Sequence, residues 1–281
     1  MITDSCCLPW NDGKSTAISD YGTLCIESGG SRLYGSIIWP DGGYARPRPC
    51  LVLLHGYPGS LPNGDLMHVL CSQGFVVVQP NHRGAWGSEG NYLLSNCIED
   101  AVNIVNKVRG DDFIRAYNID PGKVFLLGHS MGSCTAVNAA RRLPFLRGLV
   151  LMTPFDPYRL MTDERRARLF LSEGVMLRTE SPGSVYEDLA EHAQEYSFNA
   201  SFPFIKDQNL FFALGLEDNL APPDVMTGEI RDMLRANGSK AIQRFIAYPA
   251  GHGLLGSRDA FIRDMLQFLQ DTLTGNYGNR G

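Results

Sequence analysis

No run of residues in this chain is long and apolar enough to span a bilayer, which argues against an integral membrane protein. The first ten residues, Met-Ile-Thr-Asp-Ser-Cys-Cys-Leu-Pro-Trp, lack the basic region and apolar core of a secretory signal. An excess of positive charge is also missing. With a net charge of −5 the surface has no electrostatic reason to take nucleic acid or an anionic membrane as partner. The seven cysteines, at 6, 7, 25, 50, 71, 97 and 134, form no C-x-x-C pair, and several lie in apolar stretches as buried free thiols do. A reducing interior therefore suits the chain, and the expected location is cytoplasmic. Cys6-Cys7, adjacent at the terminus, reads as incidental rather than as a metal site, and no metal or cofactor is expected. There is no internal repeat and no low-complexity segment. With 44% hydrophobic and 20% charged residues in 281, the remainder is an ordinary globular composition, enough for one large α/β domain or two small ones.

The chain turns around Lys123-Val-Phe-Leu-Leu-Gly-His-Ser-Met-Gly132. Val124 to Leu127 is a short apolar run of strand character. Gly128-His-Ser-Met-Gly132 then matches G-x-S-x-G, and a stretch of small residues from Ser133 to Ala140 reads as a helix. That context is what the pattern needs, because it works as a tight strand-to-helix turn that exposes a strained serine above a sheet. The alternative is a glycine-rich turn whose serine only caps the helix.

Around this centre, Thr23–Glu27 and Arg32–Trp39 read as a hairpin turning at Gly29-Gly30-Ser31. Cys50–Leu54, Phe75–Gln79, Val124–Leu127 and Leu149–Thr153 are continuous apolar runs, as expected of parallel strands covered on both faces. Helical segments are expected at 64–73 and 98–108 between them. Asn209–Leu214 and Ile242–Tyr248 resume the strands, with a helix over 223–237 between and another over 259–273 at the end. The fold class is α/β, a mostly parallel central sheet with helices on both faces. Residues 154–203 interrupt it with charge and short helical pieces, too long for a simple connection. They read as a small helical cap inserted in a single domain of residues 1–281.

A serine needs a base to take its proton, and the base needs an orienting acid. His252, in the loop Tyr248-Pro-Ala-Gly-His-Gly253 after the last strand, falls at the sheet edge where Ser130 stands. Glu217 and Asp218 follow an intervening strand. The spacing Gly215-x-x-Asp218-x-x-Ala-Pro222 favours Asp218, with Glu217 and Asp156 as the other carboxylates. The order Ser130, Asp218, His252 is that of an α/β-hydrolase. His55-Gly-Tyr-Pro-Gly-Ser60 follows the first buried strand, where such folds place an oxyanion donor, so the backbone amides of Tyr57 and Met131 are the expected pair. Pro58 has no N–H to offer. His55 reads as a structural histidine, and His129 as one that points away from the chemistry.

From about Leu33 to Leu273 the chain resembles the α/β-hydrolase superfamily, through the His55–Gly59 loop, the Gly128–Gly132 elbow, Asp218 and His252. Asn81-His-Arg-Gly-Ala-Trp-Gly-Ser-Glu-Gly90 and Asn96-Cys-Ile-Glu-Asp100 look similar to the prolyl-oligopeptidase-like and dienelactone-hydrolase-like branches, and to cinnamoyl-type esterases. The resemblance implies cofactor-free hydrolysis of a small-molecule ester, less often an amide, with Ser130 as nucleophile. About 40 residues before the first buried strand cannot build the propeller of a prolyl oligopeptidase, and dienelactone hydrolases use cysteine where this chain has serine. The expected function is a carboxylesterase for small or medium acyl esters, with Phe155, Tyr158, Leu160, Phe170 and Met176 as candidate pocket walls. An aminopeptidase or acyl-peptide hydrolase is the nearest rival, and a ligand-binding receptor on a hydrolase scaffold is the rival of another class. Oligomeric state is left open.

Overall fold

A computed structural model describes residues 19–40, 43–61 and 63–275, with side chains from residue 21. Cys6 and Cys7, and the irregular lead-in expected over residues 1–20, fall almost wholly outside the described residues. Eight strands form one sheet: β1 (Ser19–Ser28), β2 (Ser31–Pro40), β3 (Arg48–Leu54), β4 (Val76–Pro80), β5 (Ile119–His129), β6 (Gly148–Met152), β7 (Leu210–Gly215) and β8 (Gln243–Tyr248). Their order across the sheet is β1-β2-β4-β3-β5-β6-β7-β8. The β1–β2 hairpin joins antiparallel at one edge, and every pair from β4 to β8 is parallel. The hairpin shows why alternation was legible only there: in β2, Leu33 and Ile37 are buried while Arg32 and Ser36 face water. The whole of β3 and β7 is buried, as apolar runs without alternation require.

Two cores lie on the two faces of the sheet, and β3 divides between them. Cys50, Val52 and Leu54 join one, beneath α2 (Leu94–Val108), α4 (Met131–Ala140) and α9 (Pro223–Asn237). Leu51 and Leu53 join the other, beneath α1 (Gly64–Cys71) and α10 (Arg258–Thr274). Two features depart from the sequence reading. A helix α3 (Asp111–Tyr117) precedes β5, fully burying no residue; only Phe113 and Tyr117 pack partly buried on the core, an apolar period too short to read. Strand β5 begins at Ile119, not Val124, because Ile119 pairs with Arg48 across an irregularity that separates it from the regular ladder.

Between β6 and β7 the chain makes four short helices, α5 (Pro157–Met161), α6 (Glu164–Leu171), α7 (Ser184–His192) and α8 (Phe198–Ile205). Asp163 caps α6 by accepting from the Arg166 amide, and Ser197 caps α8 by accepting from that of Ala200. The chain reverses direction across the sheet between β3 and β5, where one connection runs outward to β4 and the next returns. Loops leaving the carboxyl ends of strands at such a switch point diverge and open a crevice. Ser130 and the His55–Gly59 loop stand on its two sides.

Candidate active site

Ser130 sits between β5 and α4 with φ 56° and ψ −123°, a conformation that costs on the order of 1–3 kcal/mol for a residue with a side chain. Close packing fixes it there. A Cβ on Gly132 would lie 2.4 Å from the Leu54 carbonyl oxygen and 2.6 Å from that of His55, so α4 can seat against β3 only with glycine at this position. Replacing Gly132 with alanine should lower stability by about 3 kcal/mol through backbone displacement, even though alanine is the better helix former. A urea titration would read this as a reduced midpoint, and an unshifted midpoint would show that the elbow has slack.

The loop after β3 reaches the same spot. A Cβ on Gly56 would fall 2.9 Å from Ser130 Cβ and 3.5 Å from Ser130 Oγ. The loop that carries Tyr57 thus packs directly on Ser130, and Met131, the first residue of α4, has no acceptor for its N–H within the helix. The Tyr57 phenol is not available to an oxyanion, because it donates to the Leu171 carbonyl at 2.5 Å.

His252 follows β8, and its Nδ1 lies 2.7 Å from Asp218 Oδ2. The other oxygen of Asp218 accepts from the amides of Leu220 at 3.0 Å and Ala221 at 2.8 Å. Desolvation works to raise the Asp218 pKa, but the hydrogen bond and charge of His252 together with the two amides outweigh it and hold the carboxyl below its ordinary range. An ionised Asp218 fixes the proton of His252 on Nδ1 and leaves Nε2 for the cavity that His252 lines with Ser130. Ser130 Oγ is buried without a hydrogen-bond partner, a common condition for a nucleophile whose contacts tighten on substrate. Glu217 is exposed and stands apart from this bond.

Asp156, the third carboxylate weighed from sequence, does different work. It caps α5 by accepting from the Tyr158 amide at 3.0 Å and ties α8 by accepting from that of Phe198 at 3.2 Å. Burial pushes its pKa up to about 6 against the partial opposition of those amides. The folded state thus holds the proton more tightly than the unfolded chain, whose aspartates titrate near 3.9. Its contribution to stability is full below about pH 4 and lost as pH rises through about 6, a difference of ~3 kcal/mol. Asp156→Asn should abolish that loss. Urea unfolding of both proteins between pH 4 and 7 measures it, and parallel stability profiles would refute it.

Two histidines are structural. Burial first, with His82 beside it, pushes His55 down to about 3. The neutral ring donates from Nδ1 to the Gly56 carbonyl at 2.8 Å and accepts at Nε2 from the His82 amide at 3.2 Å, tying two loops together. His129 is likewise pushed down to about 3, by burial and then by His252. It does not point away, as its sequence position suggested. It lines the cavity, with Nε2 3.4 Å from the His252 carbonyl. That carbonyl also accepts from Thr153 Oγ1 at 2.8 Å. Behind the loop, Arg258 donates to Gly253 O at 3.2 Å and Asn63 Oδ1 at 2.7 Å, and grips both oxygens of Asp65 at 2.6 and 2.9 Å. Except for the Arg258–Gly253 contact, these supports join residues far apart in the chain, so sequence reading missed them.

The polar loop 81–90 is held by a buried Asp100, which accepts from Arg83 Nε at 2.7 Å, the Arg83 amide at 2.9 Å and Ser28 Oγ at 2.6 Å. Trp86 Nε1 then donates to Pro58 O at 3.2 Å, fixing the loop that carries Tyr57. The cavity itself, about 280 Å³, is enclosed by the 56–61 loop, Ser130 and His129, and by Phe170, Glu173, Leu220 and His252. Of the walls anticipated from sequence only Phe170 lines it. Phe155 and Leu160 are core residues, and Tyr158 and Met176 are largely exposed. Among the described residues no group of three or more His, Cys, Asp or Glu side chains is placed to hold a metal ion, and no helix is long and apolar enough to cross a membrane.

Known proteins share this architecture. The DcsB structure, solved with a substrate analogue, superposes with a TM-score of 0.66 at 15% identity over 91% of this chain and 100% of that one. The Pyrococcus furiosus esterase Pf2001 does so with a TM-score of 0.66 at 17% identity over 89% and 90%. At such identities the likeness speaks for the fold alone. A lysophosphatidylserine lipase, ABHD12 of Danio rerio, is 31% identical over 130 residues, 43% of this chain and 32% of that protein. The chain thus spans about a third of the length of the curated relatives it matches. The model of the alpha/beta hydrolase family matches residues 51–272, from β3 through most of α10, and the chain belongs to that family.

Proposed function

We propose that the protein is a serine carboxylesterase acting on small or medium acyl esters through an acyl-enzyme. The observation that carries this reading is the Asp218–His252 bond at 2.7 Å beside a cavity that His252 shares with the strained Ser130. Ser130 Oγ attacks the ester carbonyl while His252 Nε2 takes its proton, and Asp218 stabilises the imidazolium that results. The amides of Met131 and Tyr57 receive the developing oxyanion. His252 returns the proton to the leaving alcohol, and water then releases the acid by the same steps. Residues 154–203 act as a cap: Phe170 and Glu173 enter the cavity wall, and Tyr57 is bonded to Leu171. A cavity of about 280 Å³ suits a short acyl chain. Free thiols at every described cysteine, four of them buried, support a cytoplasmic setting.

The test is hydrolysis of a panel of p-nitrophenyl esters of rising chain length beside an amino-acyl p-nitroanilide, with wild type and Ser130→Ala. Serine-dependent ester turnover is the expected result. Faster cleavage of the anilide would instead indicate a peptidase. A folded protein inert to every substrate and to fluorophosphonate labelling would indicate a receptor on a hydrolase scaffold.

A further inference from the structure

The charge inside the cavity is one-sided. No lysine or arginine is among the described residues that line it. His129 is kept neutral by burial, and burial holds the Tyr57 phenol neutral as well, with its pKa raised to about 12. The carboxylate in the wall is Glu173, exposed on the short turn Ser172–Gly174 that follows α6. Its charge reaches the Tyr57 ring, where it adds to the rise of that phenol. Two arginines of the surrounding elements are paired with carboxylates: Arg168 with Glu164, 3.9 Å over the Tyr186 ring, and Arg258 with Asp65. Arg166, which does not itself line the cavity, donates to the Leu220 carbonyl at 3.1 Å and keeps its charge.

We infer that Glu173 makes this cavity select its ester by charge, taking substrates that carry a cationic, amine-bearing group in preference to neutral isosteres and turning anionic esters away. The inference rests on the serine-esterase reading above and adds the substrate class to it. An ester held at Ser130 in so small a space keeps its acyl tail or alcohol near the Glu173 carboxylate, where a cation gains and an anion loses Coulomb energy. Because the carboxylate is exposed, the gain is modest, on the order of fivefold in kcat/KM per unit of substrate charge. Added salt shrinks it, since the screening length falls to roughly 3 Å at molar ionic strength.

Three acetate esters of matched size test this: that of choline, that of its neutral analogue with carbon in place of the quaternary nitrogen, and that of isethionate. With wild type, kcat/KM should fall about fivefold at each step from cation to neutral to anion. Glu173→Gln should bring the three within about twofold of one another, and Glu173→Lys should reverse their order. Ratios within one variant cancel any general effect of the substitution on folding or catalysis. Serine-dependent turnover with the same ratios in wild type and Glu173→Gln would overturn the inference and leave the esterase standing. Turnover of none of the three by a protein that cleaves p-nitrophenyl esters would overturn the inference alone, whereas inertness to those esters too, or turnover that persists in Ser130→Ala, would remove the esterase reading and this inference with it.

Discussion

Ester hydrolysis should drop by about 10,000-fold or more when Ser130 is replaced by alanine, with the fold intact. The cavity and both oxyanion amides survive the change, since they are backbone groups of Tyr57 and Met131, so a small residual rate above water is expected. The variant loses one oxygen that has no hydrogen-bond partner in the wild type, so no buried polar partner is left unsatisfied. Its positive φ is as unwelcome to alanine as to serine, which keeps the strain roughly unchanged. Kinetics on a p-nitrophenyl ester and the urea midpoint, measured together, give the result. A fluorophosphonate adduct mapped to Ser130 in the wild type and missing in the variant is the covalent counterpart. Retained turnover would mean that another residue carries the chemistry.

Asp218→Asn comes next in size, about 1,000- to 10,000-fold in kcat. The amide oxygen of asparagine would take over the two contacts now made to the Leu220 and Ala221 amides. Its NH2 group would then face His252 Nδ1, where a carboxylate oxygen now stands at 2.7 Å. A donor at that place makes Nδ1 the acceptor and moves the ring proton to Nε2, so that the base points its proton at the serine instead of its lone pair. Kinetics should therefore show a kcat collapse with little change in KM. Glu217→Gln, on an exposed side chain one residue away, should leave kcat within about twofold. Equal damage from the two substitutions would argue that the loop's overall charge matters rather than this bond.

What the sequence disclosed and what it hid follow from the range of the interactions concerned. The elbow was legible because its requirements are local: a strand, a strained serine, and Gly128, where a Cβ would lie 2.2 Å from the Gly132 carbonyl oxygen. Asp218 was favoured over Glu217 by its spacing from Gly215 and Pro222, and the same carboxylate also closes a turn onto the amides two and three residues ahead. The parallel strands announced themselves as unbroken apolar runs. Helix α3 did not, since it is seven residues long and leaves even Phe113 and Tyr117 only partly buried. Nor could composition show which residues of 154–203 would meet the cavity. Phe170 and Glu173 enter it, while Phe155 and Leu160 turn into the core, and that division depends on how the short helices pack. The grip of Arg258 on Asp65 spans 193 positions and leaves no trace in either segment alone.

That same long reach means the centre has no partial form. Its pieces come from the ends of β3, β5, β7 and β8, and the serine appears in the chain more than a hundred residues before the base, with Asp218 and His252 themselves 34 apart. A nascent polypeptide paused before β8 would already display the elbow, the oxyanion amides and the acid loop, yet could not activate its nucleophile. In the proposed mechanism the strained serine therefore meets its base only when the last strand is laid against the sheet and Arg258 grips Asp65 of the first helix. Ester turnover would then report that the whole sheet has closed.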